Sequence, residues 1–402
     1  MVILVLNCGS SSIKYQVIDM TGGEGSGSLL AKGIVERIGL PQGNFVFKSD
    51  KETIEIEQPI ADHTEGTKLV LAALVNEEHG VIKSLDELKA VGHRVAHGGE
   101  HFAAGCIVTE DVKAKIRDLF AIAPLHNPAN YEGIIAMERV MGSVPQVAVF
   151  DTSFHQTIPQ MNYMYAVPLK YYDKYKIRKY GFHGTSHKYV AQKAAELTGL
   201  DFKNSKIITC HVGNGGSVTA IVNGESFDTS MGFSPLDGLI MGTRSGSMDV
   251  SAAIYIAEKE GMSYAELSNM LNKESGVLGL TDGMSSDMRD IDKAYAAGDA
   301  KAIVARDMYY DRVKRFIGQY AAAMGGVDLI VFTGGVGENS VNLRPTACKG
   351  LEFMGVEFDK AASDGSFGID KILSKPSSRV KVAMIATDEE LVIATDTYNL
   401  TK

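Results

Sequence analysis

The chain has 402 residues, of which 45% are apolar and 22% are charged, and its formal net charge is −9. At about 100–200 residues per domain this length predicts at least two domains, and the composition excludes a disordered chain. The acidic balance argues against charge-driven binding of nucleic acid, so any anionic ligand needs local basic groups. The four cysteines are scattered without a Cys-x-x-Cys pair, which argues against a zinc ribbon or a disulfide scaffold.

Apolar runs in the sequence are short, and the start of the chain has no basic segment followed by an apolar signal segment. These features predict a protein that does not interact with membranes. Together with the cysteine pattern they predict a cytoplasmic location.

The first half of the chain reads as an antiparallel meander that gives way to alternating helices and strands. Short strand-like runs separated by Gly, Pro and Asp turns lie at 1–6, 13–18, 31–38, 44–47 and 53–57. Helical patterns and apolar strands then alternate: helix 65–76, strand 90–96, helices 110–120 and 129–141, and strand 146–151. This alternation predicts a sheet covered by helices.

The second half repeats the theme. Apolar strands at 206–211 and 218–222 flank a glycine-rich turn, as the strands at 1–6 and 13–18 flank residues 7–12. Helices are predicted at 186–197, 250–259, 264–271 and 300–323, strands at 328–332 and 380–386, and a last helix from Glu389. Two α/β domains that each open with a Gly/Ser hairpin suggest a structural duplication.

Three loops rich in glycine or hydroxyl side chains follow apolar strands, at 7–12, 211–217 and 333–339. Glycine permits close approach of the backbone, and N–H groups with Ser hydroxyls can surround phosphate oxygens. One such loop is more often a simple turn, but three of them, with Lys14 after the first, favour a nucleotide site. The first lacks the second glycine of a P-loop and leads into a strand, and the third is incomplete as a dinucleotide fingerprint. The pattern therefore predicts a phosphate clamp built from hairpins.

Arg94 is a candidate for binding a carboxylate, and Asp151 is a candidate site residue. Arg94 shares a strand face with the small Ala96, and a guanidinium can grip a carboxylate by two parallel bonds while a small apolar neighbour accommodates a short alkyl tail. Asp151 ends an apolar strand, where sites of α/β proteins are built. The alternatives are a surface ion pair for Arg94 and a helix cap for Asp151.

Residues 181–187 and 241–246 each place a basic side chain among small residues. His183 and His187 are four residues apart, but Gly184 stands where a metalloprotease has glutamate, which argues against a metal hydrolase. His183 and Arg244 could donate hydrogen bonds to a phosphoryl group during its transfer. The alternatives are that His183 is a core histidine and that Arg244 forms a structural ion pair. Near the C-terminal end, the acidic run that begins at Asp388 could hold Mg²⁺ through water or simply cap a helix.

The order of these motifs resembles the acetate kinase family, and the resemblance runs from residue 1 to about 395. It is carried by seven segments: Asn7-Cys-Gly-Ser-Ser-Ser-Ile-Lys14, Gly92-His-Arg-Val-Ala-His-Gly-Gly99, Pro124-Leu-His-Asn-Pro128, Phe150-Asp-Thr-Ser-Phe-His155, Gly181-Phe-His-Gly-Thr-Ser-His187, His211-Val-Gly-Asn-Gly215 and Phe332-Thr-Gly-Gly-Val-Gly-Glu-Asn339.

The resemblance implies an actin-like fold of two ribonuclease-H-like α/β domains around a central nucleotide cleft. The expected domains are 1–151 with 389–402, and the nucleotide-binding 152–388, in a homodimer. It implies reversible transfer of the ATP γ-phosphoryl group to acetate, which gives acetyl phosphate and ADP, with Mg²⁺ as the metal and Mn²⁺ as an alternative.

The resemblance also implies roles for single residues. Arg94 would bind the carboxylate, and the alkyl pocket would be lined by Ala96, Leu125, Phe182 and Pro235. His183 and Arg244 would stabilise the transition state, His126 would hold phosphoryl oxygens, and Asp151 would be the essential acidic residue. Because a carboxylate has no proton to lose at neutral pH, orienting Arg94 or a metal-bound water is an equal role for Asp151. Asn7 and Glu389 would hold Mg²⁺, and the nucleotide would contact Lys14, His211, Val212, Gly213, Asn214, Gly215, Asp287, Met288, Arg289, Gly335, Val336, Gly337, Glu338 and Asn339.

Ala96 stands where many acetate kinases carry the larger valine. A smaller side chain here would enlarge the alkyl pocket, so the alternative prediction is a propionate kinase. One methylene is worth about 1–3 kcal/mol in discrimination. A sugar kinase of the same fold would need a polar pocket, for which these apolar residues are unsuited. A chaperone-like module would need a further peptide-binding domain, for which 402 residues leave no space.

Overall fold

A computed structural model describes residues 1–402, which divide into two compact units. Unit 1 comprises Met1–Phe154 and Asp388–Lys402, and unit 2 comprises His155–Thr387. The strands are β1 (Val2–Gly9), β2 (Ser12–Asp19), β3 (Ser28–Glu36), β4 (Gly43–Ser49), β5 (Thr53–Gln58), β6 (Leu88–Val95), β7 (Cys106–Ile107), β8 (Gln146–Phe150), β9 (Lys206–Val212), β10 (Gly216–Val222), β11 (Glu225–Thr229), β12 (Leu329–Thr333), β13 (Lys371–Ile372) and β14 (Lys381–Met384).

The chain has fifteen helices, and short 3-10 turns lie between some of them. They are α1 (His63–Leu74), α2 (Glu110–Asp118), α3 (Asn127–Met141), α4 (Gln160–Tyr163), α5 (Lys170–Tyr175), α6 (Gly184–Thr198), α7 (Val250–Glu260), α8 (Tyr264–Lys273), α9 (Gly276–Leu280), α10 (Met288–Ala296), α11 (Ala300–Met324), α12 (Gly334–Asn339), α13 (Leu343–Cys348), α14 (Lys360–Ser363) and α15 (Glu389–Thr401). None of them combines the length and apolar character that a bilayer crossing requires.

Unit 1 is built on an eight-stranded sheet in the order β5-β4-β3-β2-β1-β6-β8-β7. The predicted meander forms its antiparallel half, while β1, β6 and β8 run parallel. Helices α1 and α3 cover one face and α15 covers the other. Gly92 lets α15 approach the sheet closely, since a Cβ there would lie 2.5 Å from Thr397 Oγ1. The parallel strands therefore end together at one edge, beside the first turn of α15.

Unit 2 has a six-stranded sheet in the order β11-β10-β9-β12-β14-β13, in which β9, β12 and β14 are parallel. The largest core cluster lies between this sheet and the long helix α11, which Asp299 caps at its N-terminus and Gly325 ends in the left-handed region. Helix α6 packs against β9 and β12. The side chains between α6 and the sheet include several polar groups, described below.

The two sheets share one topology, which is the duplication suggested by the two hairpins. In each unit a hairpin and a third antiparallel strand (β1–β3, β9–β11) are followed by two further strands parallel to the first (β6 and β8, β12 and β14). The predicted α/β class with two sheets is thus confirmed. One local expectation is wrong: residues 334–339 form the short helix α12 rather than a loop, because Glu338 turns back to accept the Gly334 N–H at 2.9 Å.

Candidate active site

Three strand ends of unit 1 bring Asn7, Arg94 and Asp151 together. Asn7 lies near the end of β1, Arg94 near the end of β6, and Asp151 directly after β8, all on the face that α15 covers. Because these neighbouring strands are parallel, side chains separated by up to 144 positions in sequence meet at one sheet edge. The structure thus brings together two residues that the sequence singled out separately, Arg94 and Asp151.

Arg94 is held by the carboxylate of Asp151 along one edge of its guanidinium. Its Nε donates to Asp151 Oδ1 at 3.0 Å and its Nη2 to Oδ2 at 2.5 Å, while Nη1 donates to Asn7 Oδ1 at 3.3 Å. A guanidinium has five N–H donors, so one N–H on each terminal nitrogen is left after these three bonds. Such N–H groups are the donors with which an arginine can bind a second carboxylate. The carboxylate of Asp151 is 2% exposed and raises the pKa of Arg94 further, so the arginine stays charged.

The first turn of α15 adds acidic groups beside this pair. Asp388 caps the helix by accepting the Leu391 N–H at 2.9 Å, which is one of the two roles that the sequence left open. Burial raises the pKa of Glu389, and the neighbouring charge of Asp151 adds to the shift while Arg94 opposes it. Burial and the charge of Glu389 raise the pKa of Glu390. One arginine thus faces more carboxylates than it can neutralise, an environment that suits a divalent cation.

Two buried asparagines of α3 fix the chain after Arg94. Asn130 accepts the Ala96 N–H at 2.9 Å and donates to the Cys8 carbonyl at 2.7 Å, so it ties the end of β1 to the end of β6. Asn127 pairs with the backbone of His97 through both of its amide atoms. Ala96 itself is 4% exposed, half-buried His126 precedes α3, and Leu125 is exposed.

The first hairpin turns at residues 10–11 and continues directly into β2, as predicted. Lys14 pairs with Asn7 in the β1–β2 register, so the exposed lysine lies on the same sheet face as Asn7 and Arg94. An exposed cation is therefore available beside the end of β1.

In unit 2 the hairpin between β9 and β10 presents a tight turn at Gly213, Asn214 and Gly215. All three carbonyls are bonded inward: to the Tyr309 hydroxyl at 3.0 Å, to the Gly242 N–H at 3.0 Å and to the Gly213 N–H at 2.9 Å. The Gly213 N–H is used within the turn, whereas the N–H groups of Asn214 and Gly215 have no backbone acceptor and can bind an anion.

Arg244 and His183 flank this loop. A Cβ at Gly215 would lie 3.5 Å from Arg244 Nη1 and 3.9 Å from the His183 ring. Arg244 has no carboxylate partner: it donates to the Pro235 carbonyl at 3.3 Å and contacts Met241 Sδ at 3.7 Å, and burial lowers its pKa. A partly buried arginine without a counterion suits an incoming phosphate.

His183 precedes α6 in the left-handed backbone region, with φ 55°. Non-glycine residues are uncommon in this region, and such strain often occurs at functional sites. Its ring stacks on that of His211, with centroids 4.3 Å apart, and its Nδ1 lies 2.9 Å from Ser217 Oγ. Phe182 is buried against Met231 and Met241. His187 is fully buried among polar side chains of the sheet and is thus unsuited to an open metal site.

The residues expected at the adenosine end lie on two helices of unit 2. Asp287 caps α10, and its carboxylate also pairs with the exposed Arg289, while Met288 is buried. Helix α12 carries the predicted segment Gly335–Asn339, in which Gly335 and Asn339 are exposed. Glu338 faces inward and accepts N–H groups of Gly334 and Thr387, so it anchors the segment.

Several residues that build these sites escaped the sequence reasoning. The fully buried Arg344 donates to the carbonyls of Gly337 and Glu338 and so holds α12. Thr209 and Ser217 contact the histidines under α6. A signal existed for Thr209: it and His211 are polar residues two apart in an apolar strand, which places them on one face. No such signal marks Tyr309 or Arg344.

The chain matches known proteins along its whole length. The model of the acetokinase family matches residues 2–395. The chain is 53% identical over 399 residues to the acetate kinase of Phocaeicola vulgatus, covering 99% of this chain and 98% of that protein, and equally similar by these measures to that of Thermotoga maritima. The crystal structure of Porphyromonas gingivalis acetate kinase superposes with a TM-score of 0.96 at 46% identity over 100% of both chains. A propionate kinase from Francisella tularensis gives a TM-score of 0.91 at 41% identity over 99% of each chain.

The shared fold and these matches define a phosphotransferase whose acceptor is a carboxyl group. The chain belongs to the acetokinase family. The family predicted from the seven motifs is therefore confirmed.

Proposed function

We propose that the protein is an acetate kinase that transfers the γ-phosphoryl group of ATP to acetate and, in reverse, that of acetyl phosphate to ADP. The observation that carries the proposal is the Arg94 guanidinium, which Asp151 holds along one edge and which keeps two donors for a second carboxylate. Relatives about 50% identical over their full length are acetate kinases, which favours acetate over propionate as the substrate.

In the forward direction one acetate oxygen attacks the γ-phosphorus. The new O–P bond forms as the bond to the oxygen that bridges the β- and γ-phosphorus breaks, and ADP leaves with that electron pair. No proton has to move, so catalysis rests on positioning and on neutralising charge. Asp151 then acts by orienting Arg94, and its two bonds to the guanidinium support this role over that of a general base.

The phosphoryl oxygens are neutralised by Arg244, His183 and His126 in this proposal. Arg244 suits the role because it is partly buried and lacks a carboxylate partner. The segment His211–Gly215 and Lys14 contact the phosphates, and the segments at 287–289 and 335–339 hold the adenosine. By the family resemblance, the residues that would contact the methyl group are Ala96, Leu125, Phe182 and Pro235.

Magnesium fits the acidic surroundings of Arg94. Burial and repulsion by neighbouring carboxylates destabilise the charged forms of Glu389 and Glu390, and both pKa values are raised for this reason. A divalent cation would relieve this strain and, when bound, neutralises charge on the ATP phosphates. Asn7 and Glu389 would hold it, or Mn²⁺ in its place. No group of three or more His, Cys, Asp or Glu side chains could hold a metal ion by itself, so phosphate oxygens and waters would supply the other ligands.

The proposal extends to assembly and location. The proposed domains are residues 1–151 with 389–402 and residues 152–388. The proposed assembly is a homodimer. Helix α7 supports the dimer, because Val250, Ile254 and Tyr255 are 70%, 51% and 60% exposed and its only buried residue is Ala253. The four free cysteines suit the reducing cytoplasm.

The test is the trapping of acyl phosphate with hydroxylamine after incubation with ATP and Mg²⁺, side by side with acetate, propionate and butyrate. We expect the largest kcat/KM with acetate. A larger value with propionate would make the protein a propionate kinase, and no product from folded enzyme with any of the three would contradict the proposal. Light scattering of wild type and Ile254→Glu tests the dimer: wild type should have twice the chain mass and the variant the mass of one chain.

A further inference from the structure

Four side chains of unit 2 form a continuous hydrogen-bonded chain that ends at His183. Thr209 Oγ1 lies 2.7 Å from His187 Nδ1, His187 Nε2 lies 2.7 Å from Ser217 Oγ, and Ser217 Oγ lies 2.9 Å from His183 Nδ1. Thr209, His187 and Ser217 are all 0% exposed. We call this set the Thr209–His183 chain. Because these three side chains are shielded from bulk solvent, we expect each proton in the chain to be matched to an acceptor within it.

The direction of the protons follows from the buried end. The Thr209 hydroxyl has one hydrogen-bond partner, His187 Nδ1. If His187 carried its proton on Nδ1, the Thr209 hydroxyl could only accept, and its own proton would be buried without an acceptor. A buried hydroxyl proton without an acceptor is strongly disfavoured. Thr209 is therefore the donor, and His187 Nδ1 is the acceptor.

The remaining links are then fixed one after another. Burial lowers the pKa of His187 well below its ordinary value, so the ring is neutral and carries one proton, which must lie on Nε2. His187 Nε2 donates to Ser217 Oγ. A serine hydroxyl has a single proton, and with His187 as a donor to its oxygen, Ser217 directs that proton to His183 Nδ1.

We propose that Thr209, His187 and Ser217 are positioning residues that fix His183 as the tautomer with its proton on Nε2. In this form Nδ1 is an acceptor inside the unit and Nε2–H is the donor that His183 can offer to a transferring phosphoryl oxygen. The opposite tautomer would present a lone pair from Nε2 to an anionic oxygen and repel it. The catalytic part of this inference rests on the proposed function, while the assignment of the tautomer does not.

The first test reads the tautomer directly. The full-length enzyme is labelled with ring-¹⁵N histidine, and the His183 signals are identified by their absence in His183→Gln. At pH 7.5 without substrate we expect Nδ1 of His183 to have the shift of an unprotonated nitrogen and Nε2 that of a protonated one. A proton on Nδ1 would overturn the proposal.

The second test removes the terminal donor. Thr209→Val keeps the shape of the side chain but leaves His187 Nδ1 without its donor, so we expect mixed His183 tautomers and a kcat lower by about tenfold, with the KM for acetate and ATP unchanged. Thr219→Val is the matched control. Thr219 is the cross-strand partner of Thr209, equally buried and bonded to Thr229 instead of the chain. It should leave both the tautomer and kcat as in wild type.

The outcomes separate the two proposals. An unchanged His183 tautomer in folded Thr209→Val would overturn the Thr209–His183 chain as the device that sets it. A changed tautomer with unchanged kcat would support the chain and overturn the catalytic role of His183. If Thr209→Val does not fold, Ser217→Ala cuts the same chain at its last link and is read in the same way.

Discussion

The side chain of Asn214 occupies the space that a side chain at Gly242 would need. A Cβ at Gly242 would lie 1.9 Å from Asn214 Oδ1, and the Gly242 N–H already donates to the Asn214 carbonyl at 3.0 Å. The lack of a side chain at Gly242 thus leaves room for the Asn214 side chain and for the Ser286 carbonyl, which would lie 2.9 Å from a Cβ at this position. Because the same turn lies beside Arg244 and His183, its position bears directly on the proposed phosphate site.

Gly242→Ala is therefore expected to push the turn outward. We expect kcat/KM for ATP to fall by at least about tenfold, because misplacing a reacting group by about 1 Å can lower the rate by more than that. The KM for acetate should change less, because Arg94 lies on a different unit. Steady-state kinetics with each substrate varied in turn measure both effects.

The matched control for this change is Gly318→Ala, in the middle of α11. A Cβ there meets nothing within 4 Å, so the substitution should leave kcat unchanged and raise the free energy of unfolding by about 0.5–1 kcal/mol through helix propensity. Wild-type kinetics in Gly242→Ala would show that the position of the turn does not matter for ATP.

Arg94 and Arg244 should fail in different ways when they are truncated. Arg94→Ala removes both donors proposed for the acetate carboxylate and is expected to raise the KM for acetate by about 10- to 100-fold, the value of one or two charge-assisted bonds. Arg244→Ala should lower kcat by about 100-fold or more with a small change in KM, because it removes charge that acts on the phosphoryl group in transfer.

Arg94→Lys separates charge from geometry in the same experiment. Lysine keeps the positive charge beside Asp151 but cannot hold two carboxylates edge to edge, so we expect a KM close to that of Arg94→Ala. Equal effects of the Arg94 and Arg244 truncations on both kcat and KM would contradict the separate roles.

Ala96 provides a test of chain-length preference. Ala96 is 4% exposed and its N–H is fixed by Asn130, so a larger side chain there has little freedom to move aside. Ala96→Val is expected to lower the ratio of kcat/KM for propionate to that for acetate by about tenfold, as expected from about 1–3 kcal/mol for one methylene. Ala96→Gly should change the ratio in the opposite direction. A ratio that is the same in all three proteins would remove Ala96 from the alkyl pocket.

His93 should make unit 1 sensitive to acid. It is 1% exposed, its Nε2 donates to Gln146 Oε1 at 2.7 Å, and burial lowers its pKa from 6.5 to about 4. Between about pH 4 and pH 6.5, His93 binds a proton in the unfolded chain but not in the folded chain. The free energy of unfolding therefore falls as the pH falls through this range. Above pH 6.5 His93 is neutral in both states and has no effect on stability. From pH 7.5 to pH 5.0 the loss from His93 is about 2 kcal/mol.

Urea denaturation at these two pH values checks the prediction. His93→Gln can still bond to Gln146 but does not titrate, so it should lose about 2 kcal/mol less stability than wild type between pH 7.5 and pH 5.0. The exposed His101, replaced by Gln, is the control and should behave as wild type. An identical pH dependence in wild type and His93→Gln would show that His93 is not neutral in the folded state.

The sequence by itself determined the α/β class, the two hairpins, the family and the main candidates, because these depend on local patterns. Alternation and apolar runs marked most strands and helices, and a helix cap was one of the two interpretations of Asp388. The short helix at 334–339 was missed because glycine-rich segments have no helical pattern, and Glu338 closes it through contacts that only the fold supplies.

Only the tertiary structure decided how the candidate side chains are used. The sequence left Asp151 open between a helix cap and a site residue, and the fold places its carboxylate along one edge of Arg94 because β6 and β8 are parallel neighbours. The Thr209–His183 chain likewise needs two strands and a helix that lie far apart in sequence to bring four side chains within hydrogen-bond distance. Hydrogen bonds act only over about 3 Å, so which donors find which acceptors is set by packing and not by spacing along the chain.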